Sequence, residues 1–247
     1  MRELQLKIYA TLLPFAFGPE WPHECDPIRS ATCSAVQTEG GAFLLTANHV
    51  LEEALRTVHH SPDALCAVGV VEFPLRIRAS YCSKAFDVAT IPLTADELDA
   101  LERDGRNIIR PTQWPPRLAA NDEPIIFGGF PKAMRNVESW QSGTLSAVTS
   151  AGYVTACGED WFSYRGDPDD MAQFDVATGE EENILEKLDG VSGGPVFRIQ
   201  RQSNQVLFEL VGVVSEGSVI FGHHAFTFAR RLDIIAGDGR ITRPSAI

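Results

Sequence analysis

Leu188-Asp189-Gly190-Val191-Ser192-Gly193-Gly194-Pro195-Val196-Phe197 sets one serine among three glycines and closes on a proline and an apolar run. Gly193 and Gly194 can take backbone angles closed to other residues and leave room for a ligand, while Gly190 puts an unshielded N–H two residues before the serine. Such a loop can hold a nucleophile and an anion together. By average residue usage, a G-x-S-G-G-P string arises by chance in roughly a few per ten thousand chains of this length. A glycine-rich turn feeding a strand is the competing reading, and partners for Ser192 elsewhere in the chain decide between the two.

The first candidate partner is a histidine. Glu39-Gly40-Gly41-Ala42-Phe43-Leu44-Leu45-Thr46-Ala47-Asn48-His49-Val50 reads as a glycine turn, an apolar strand and an imidazole at the strand's end, with a short helical stretch, Leu51 to Thr57, behind it. A carboxylate follows in Phe86-Asp87-Val88-Ala89-Thr90-Ile91, at the apolar start of a strand. It is costly there unless something binds it, and an imidazolium is its natural partner. The pentapeptide Phe-Asp-Val-Ala-Thr recurs at 174–178, so Asp175 is a second candidate; Asp87 is preferred because it follows the N-terminal strand set and closes into a strand, whereas Asp175 runs into the acidic segment Thr178 to Glu182.

With 247 residues, the chain can bury one large core or two small ones, and two compact β units are expected. The segment Arg110 to Asp122, with Pro111, Pro115, Pro116 and Trp114, reads as the crossing between units 1–114 and 115–247. Early strands are expected over Leu4 to Phe17 and Thr32 to Val36, and others over Ala64 to Val71 and Phe73 to Ala79. Thr94-x-x-Glu97 is a capping box opening a helix over Ala95 to Arg103. Ala229 to Ala236 reads as a short closing helix.

Acidic residues outnumber basic ones, 33 to 21, for a net charge of −12, which argues against a nucleic-acid or anionic-membrane surface. No run approaches 18 apolar residues, so no membrane span is expected. Ile8 to Phe17 lacks the charge pattern and cleavage site of a signal segment. Five cysteines, odd in number and without C-x-x-C, suit free thiols in a reducing cytoplasm. His23 and Cys25 share a loop with no second pair to complete a metal site, and His223-His224 reads as a turn. No metal or cofactor is expected.

His49, Asp87 and Ser192, in that order, resemble the chymotrypsin-like (trypsin-like) serine peptidases. The motifs that carry the resemblance are Leu45 to Val50, Phe86 to Ala89, Gly190 to Val196, and Val211-Gly212-Val213-Val214-Ser215-Glu216-Gly217. It spans about residues 30 to 236. The resemblance implies an all-β fold of two packed six-stranded antiparallel barrels with short helices. It makes Ser192 the nucleophile, His49 the general base and then acid, and Asp87 the residue that orients His49. It places the oxyanion hole at the N–H groups of Gly190 and Ser192, and substrate backbone pairing at Ser215, Glu216 and Gly217. Independent chemistry agrees: a serine hydroxyl is a poor nucleophile until a base takes its proton, and a tetrahedral oxyanion needs donors already aimed at it. Glu186 falls where the family often sets the base of its specificity pocket, although a solvated acidic run from Glu180 to Glu186 is the weightier reading.

One departure bears on control. Secreted members activated from zymogens have Asp before the nucleophile to pair with a freed N-terminus, and here that position is Val191. The resemblance therefore implies a bacterial, cytoplasmic endopeptidase acting on protein or peptide substrates, either constitutive or switched by a regulatory protein partner. The alternative from another class is a catalytically silent two-barrel module that binds peptides or docks in an assembly.

Overall fold

The computed structural model describes residues 2–20, 27–61, 63–132, 135–140, 142–175, 181–182, 190–202, 205–220 and 224–242. Its strands form two antiparallel sheets. The first holds β1 (Leu13–Pro19), β2 (Arg29–Thr38), β3 (Gly41–Thr46), β4 (Ala64–Val68), β5 (Val71–Glu72), β6 (Tyr81–Ser83) and β7 (Val88–Pro92), in the order β5-β4-β1-β2-β3-β7-β6. Side chains alternate across a strand, so Leu13, Phe15, Phe17, Ala35, Leu44 and Ile91 fill one core together with the buried face of α2 (Asn48–His60). Their neighbours Val36, Phe43, Leu45 and Val88 point the other way, into a second cluster shared with Ile126, Phe197, Leu210 and Val213. Strands β2, β3 and β7 are thus buried on both faces, β3 and β7 with mostly apolar residues and β2 with small ones, Ala31, Thr32, Cys33, Ser34 and Ala35.

The second sheet contains β8 (Pro124–Gly129), β9 (Arg135–Ser139), β10 (Ser142–Cys157), β11 (Trp161–Asp175), β12 (Glu181–Glu182), β13 (Pro195–Gln202), β14 (Gln205–Ile220) and β15 (His224–Arg231). Pairing of β10 with β11 closes a six-strand ring, β8-β10-β11-β15-β14-β13. Closure leaves that ring without an edge. Ile125, Phe127, Val148, Phe162, Tyr164 and Val214 fill its interior. The architecture is the mostly β, two-barrel fold that the resemblance implied.

Local expectations fail in four places. Ala64 to Val71 is not one strand but turns at Gly69-Val70 into the antiparallel hairpin of β4 and β5. Residues 4–17 are not one strand: α1 (Arg2–Tyr9) precedes β1. Ile8, on the helix, and Leu12, in the turn after it, bury against the second sheet, where Leu12 lies against Gly128. Residues 73–79 form turns, with Leu75 N–H donating to Phe73 C=O and Ile77 N–H to Pro74 C=O. The closing helix is absent as well. Ala229 to Arg231 stay in the ladder to β14, and the chain then turns back, with an Ile235–Ile241 bridge and Gly239 at positive φ. The β14 ladder overrides the helical preference of Ala229 to Arg231, and the residues after it form tight turns, with Ile235 N–H donating to Leu232 C=O and Gly239 N–H to Ala236 C=O. By contrast, α3 (Ala95–Arg103) starts on the expected capping box, and α2 runs longer than Leu51 to Thr57.

Candidate active site

Strand β3 ends at Thr46, and α2 begins two residues later with His49 in its first turn. Ala47, the N-cap, has no side chain to satisfy the free N–H groups of that turn. Asp87 does so from outside the helix: the His49 N–H donates to Asp87 Oδ1 at 3.0 Å. The same carboxylate receives the ring, with Nδ1 3.0 Å from Oδ2 and 3.1 Å from Oδ1. An ionised carboxylate only accepts, so Nδ1 carries the proton and Nε2 is left with its lone pair. Ser215 Oγ donates to Asp87 Oδ2 at 2.6 Å. Asp87 itself lies just before β7 with φ 46°, a left-handed conformation costly for a residue with a side chain and found where surrounding bonds enforce it.

These contacts set the charges. Burial works to raise the Asp87 pKa, but hydrogen bonds from the His49 ring, Ser215 and the His49 backbone hold it below the usual carboxylate value. The bond to Asp87 raises the half-exposed His49 imidazole above its ordinary value, against the opposing effect of burial.

Ser192 sits on a loop fixed from two sides. Gly193 N–H donates to Val214 C=O and Val214 N–H to Gly194 C=O, both at 2.8 Å, while Thr32 N–H donates to Ser192 C=O at 3.3 Å. Val191, wholly buried in the second barrel's core, anchors the loop from beneath. Gly193 has φ 88°, and a Cβ there would collide with the Thr32 carbonyl and the Thr46 hydroxyl. Gly193→Ala is therefore expected to cost about 2–4 kcal/mol of stability, read as a lower Tm together with lost reactivity at Ser192.

Ser215 joins the two halves of the site. It is the unpaired residue of a β-bulge, where the β14–β15 register shifts between Val214 and Glu216. Its hydroxyl serves Asp87, and its carbonyl accepts the Ser192 hydroxyl at 3.0 Å. Among the described residues, Ser192 Oγ rests on that carbonyl rather than on the imidazole. His49 and Ser192 face one cleft, with Gly190 beside them. The sequence pointed to Ser215 as a substrate-pairing residue, and its bond to Asp87 has no local signature. Ser215→Ala is expected to lower kcat/KM about tenfold, through the loss of one charge-assisted hydrogen bond to Asp87, with the bulge carbonyl kept.

Glu216 and Gly217 continue β14, paired with Phe228 and Thr227 of β15. The ladder between β13 and β14 ends at Val213, so from Ser215 onward the other edge of β14 has no partner strand among the described residues. Asp175 lies within β11, opposite Ser146, while the His49 ring is bonded to Asp87. Glu186, His23, Cys25 and His223 lie outside the described residues. Cys33 and Cys66 are free and buried, and burial pushes the Cys66 thiol up to about 12, so it is no nucleophile near neutral pH.

The sequence model of a family described as Trypsin matches residues 20–233, a span that includes β2, α2, β7, the Ser192 loop and Ser215. No curated protein matches the chain. A match over most of the chain, to a two-barrel fold with this arrangement at its cleft, means that the chain belongs to the trypsin family.

Proposed function

We propose that this member is an active serine endopeptidase that cleaves peptide bonds through an acyl-enzyme, with Ser192 as nucleophile, His49 as general base and acid, and Asp87 as the residue that orients His49. The observation that carries the reading is the Asp87 carboxylate, which meets the His49 ring, the His49 backbone N–H and the Ser215 hydroxyl at once. That arrangement fixes the tautomer and stabilises the imidazolium formed when His49 takes a proton.

An extended substrate adds to the open edge of β14 at Ser215 to Gly217. Its amide N–H takes over the Ser215 carbonyl, and the Ser192 hydroxyl, released, donates to His49 Nε2. As Oγ attacks the scissile carbonyl, its proton passes to Nε2, and the N–H groups of Gly190 and Ser192 receive the oxyanion. One such donor contributes roughly 3 to 4 kcal/mol of transition-state stabilisation in a comparable site. His49 returns the proton to the leaving amine, which departs as the acyl-enzyme forms. Water then enters, gives its proton to Nε2 and attacks the ester, and the acid product leaves with Ser192 restored.

Val191, packed in apolar surroundings, offers no carboxylate to a freed N-terminus, so activation by N-terminal pairing does not apply. A cytoplasmic setting suits the free thiols Cys33, Cys66, Cys82 and Cys157. The Ser192 hydroxyl, resting on Ser215, is also the arrangement expected of an enzyme that waits for a substrate or a regulatory partner. Incubation of the purified chain with a denatured protein mixture, with new N-termini mapped by mass spectrometry, tests the proposal. Cuts at a shared sequence pattern that persist under chelation support it. No cuts, alone or with added cell lysate, would favour a silent binding module.

A further inference from the structure

The cleft continues past Ser192 into a hollow of about 640 Å³. Its walls are the start of β2 at Arg29 to Ala31, the face of α2 that carries His49, Val50 and Glu53, and Lys132, which follows β8. Among the described residues neither Ser215 nor Glu216 lines it, so it lies on the side of the nucleophile away from the strand edge that takes the acyl half of a substrate. The leaving half of a polypeptide that crosses Ser192 therefore runs over this hollow.

Its charge is uneven. Arg29 Nη1 and Glu53 Oε1 pair at 3.0 Å and cancel each other. His49 is bonded to Asp87. Lys132 is exposed and forms no ion pair among the described residues. Among the described residues Lys132 is thus the one cation lining the hollow without an acidic partner, in a protein whose net charge is −12. Val50 and Ala31 are buried behind it and give the hollow an apolar floor suited to the methylenes of a side chain.

We propose that Lys132 selects substrates bearing Asp or Glu at one of the first two positions after the scissile bond. The inference rests on Ser192 being the nucleophile and names the substrate class of that site. Successive side chains of an extended chain point to opposite faces, so only one of the two positions can reach the ammonium. An exposed pair of this kind gives about a two- to fivefold preference in kcat/KM, weakened by salt.

The test uses peptide pairs built on a sequence that this chain cleaves, differing only by Glu or Gln at the first or second leaving-group position. The Glu/Gln ratio of kcat/KM within each variant cancels any general change in activity. At one of the positions it should be about two to five in the wild-type chain, fall to about one in Lys132→Ala, persist in Lys132→Arg and invert in Lys132→Glu. A wild-type ratio of one at both positions, or a ratio unmoved by Lys132→Ala, overturns the assignment while leaving the peptidase reading intact. Absence of both cleavage and covalent labelling at Ser192 overturns the peptidase reading, and this one with it.

Discussion

Replacement of Ser192 by Ala is expected to lower kcat by about five to six orders of magnitude, the scale of loss when the nucleophile is removed from a Ser-His-Asp site. The fold should survive. The loop is fixed by backbone groups of Ser192, Gly193, Gly194 and Val214, all of which the substitution leaves in place. The side chain contributes one neutral hydrogen bond, to Ser215 C=O, worth about 1 kcal/mol. Ester hydrolysis with a pre-steady-state burst, measured beside a thermal melt, separates the two effects. Retained turnover with an unchanged melt would place the nucleophile elsewhere.

Asp87→Asn should be the second largest loss, on the order of 10⁴ in kcat, as the same replacement produces in a well-characterised enzyme with this constellation. The carboxylate here receives donors at both oxygens. An amide has one oxygen, so its NH₂ must face a group that is itself a donor, and the His49 ring gives way by moving its proton to Nε2. The base is then lost although the ring stays in place. An Asn oxygen still accepts the His49 N–H at the start of α2, so helix and fold are retained.

The pH profile carries the same logic. Catalysis needs neutral His49, and its pKa is raised by Asp87. Activity of the wild-type chain should therefore fall as pH drops through a midpoint above about 6.5, the ordinary imidazole value. In Asp87→Asn the residual activity should fall at a lower pH, because the partner that favoured the protonated ring is gone. A kcat/KM profile of both proteins checks the sign.

The candidates His49, Asp87 and Ser192 stood out because each flanks an apolar run or lies within a glycine cluster: His49 just after β3, Asp87 just before β7 and Ser192 just before β13. The repeated pentapeptide shows how far such reading reaches. Phe86-Asp87 lies in a turn with Asp87 at positive φ, whereas Phe174-Asp175 lies in the ladder of β11. Identical residues take different conformations because their flanking segments pair differently, and only the approach to a helix N-terminus makes Asp87 a partner for His49.

Other parts were hidden for definite reasons. Helix α1 ends at Tyr9 and β1 starts at Leu13, with no glycine or proline between them to mark the change, so one apolar stretch held a helix, a turn and a strand. The residues after Phe228 looked helical because composition does not reveal that β14 extends far enough to pair with them. Ser215 lies 128 residues from Asp87, and a bulge rather than a motif aims its hydroxyl. Lys132 joins the cleft only because β8 ends beside the Ser192 loop.

Treatment with a fluorophosphonate, followed by peptide mapping, tests the central claim most directly. A single covalent adduct on Ser192, absent when His49 is replaced by Ala, is the predicted result. No adduct under any condition, or an adduct at another residue, would contradict it.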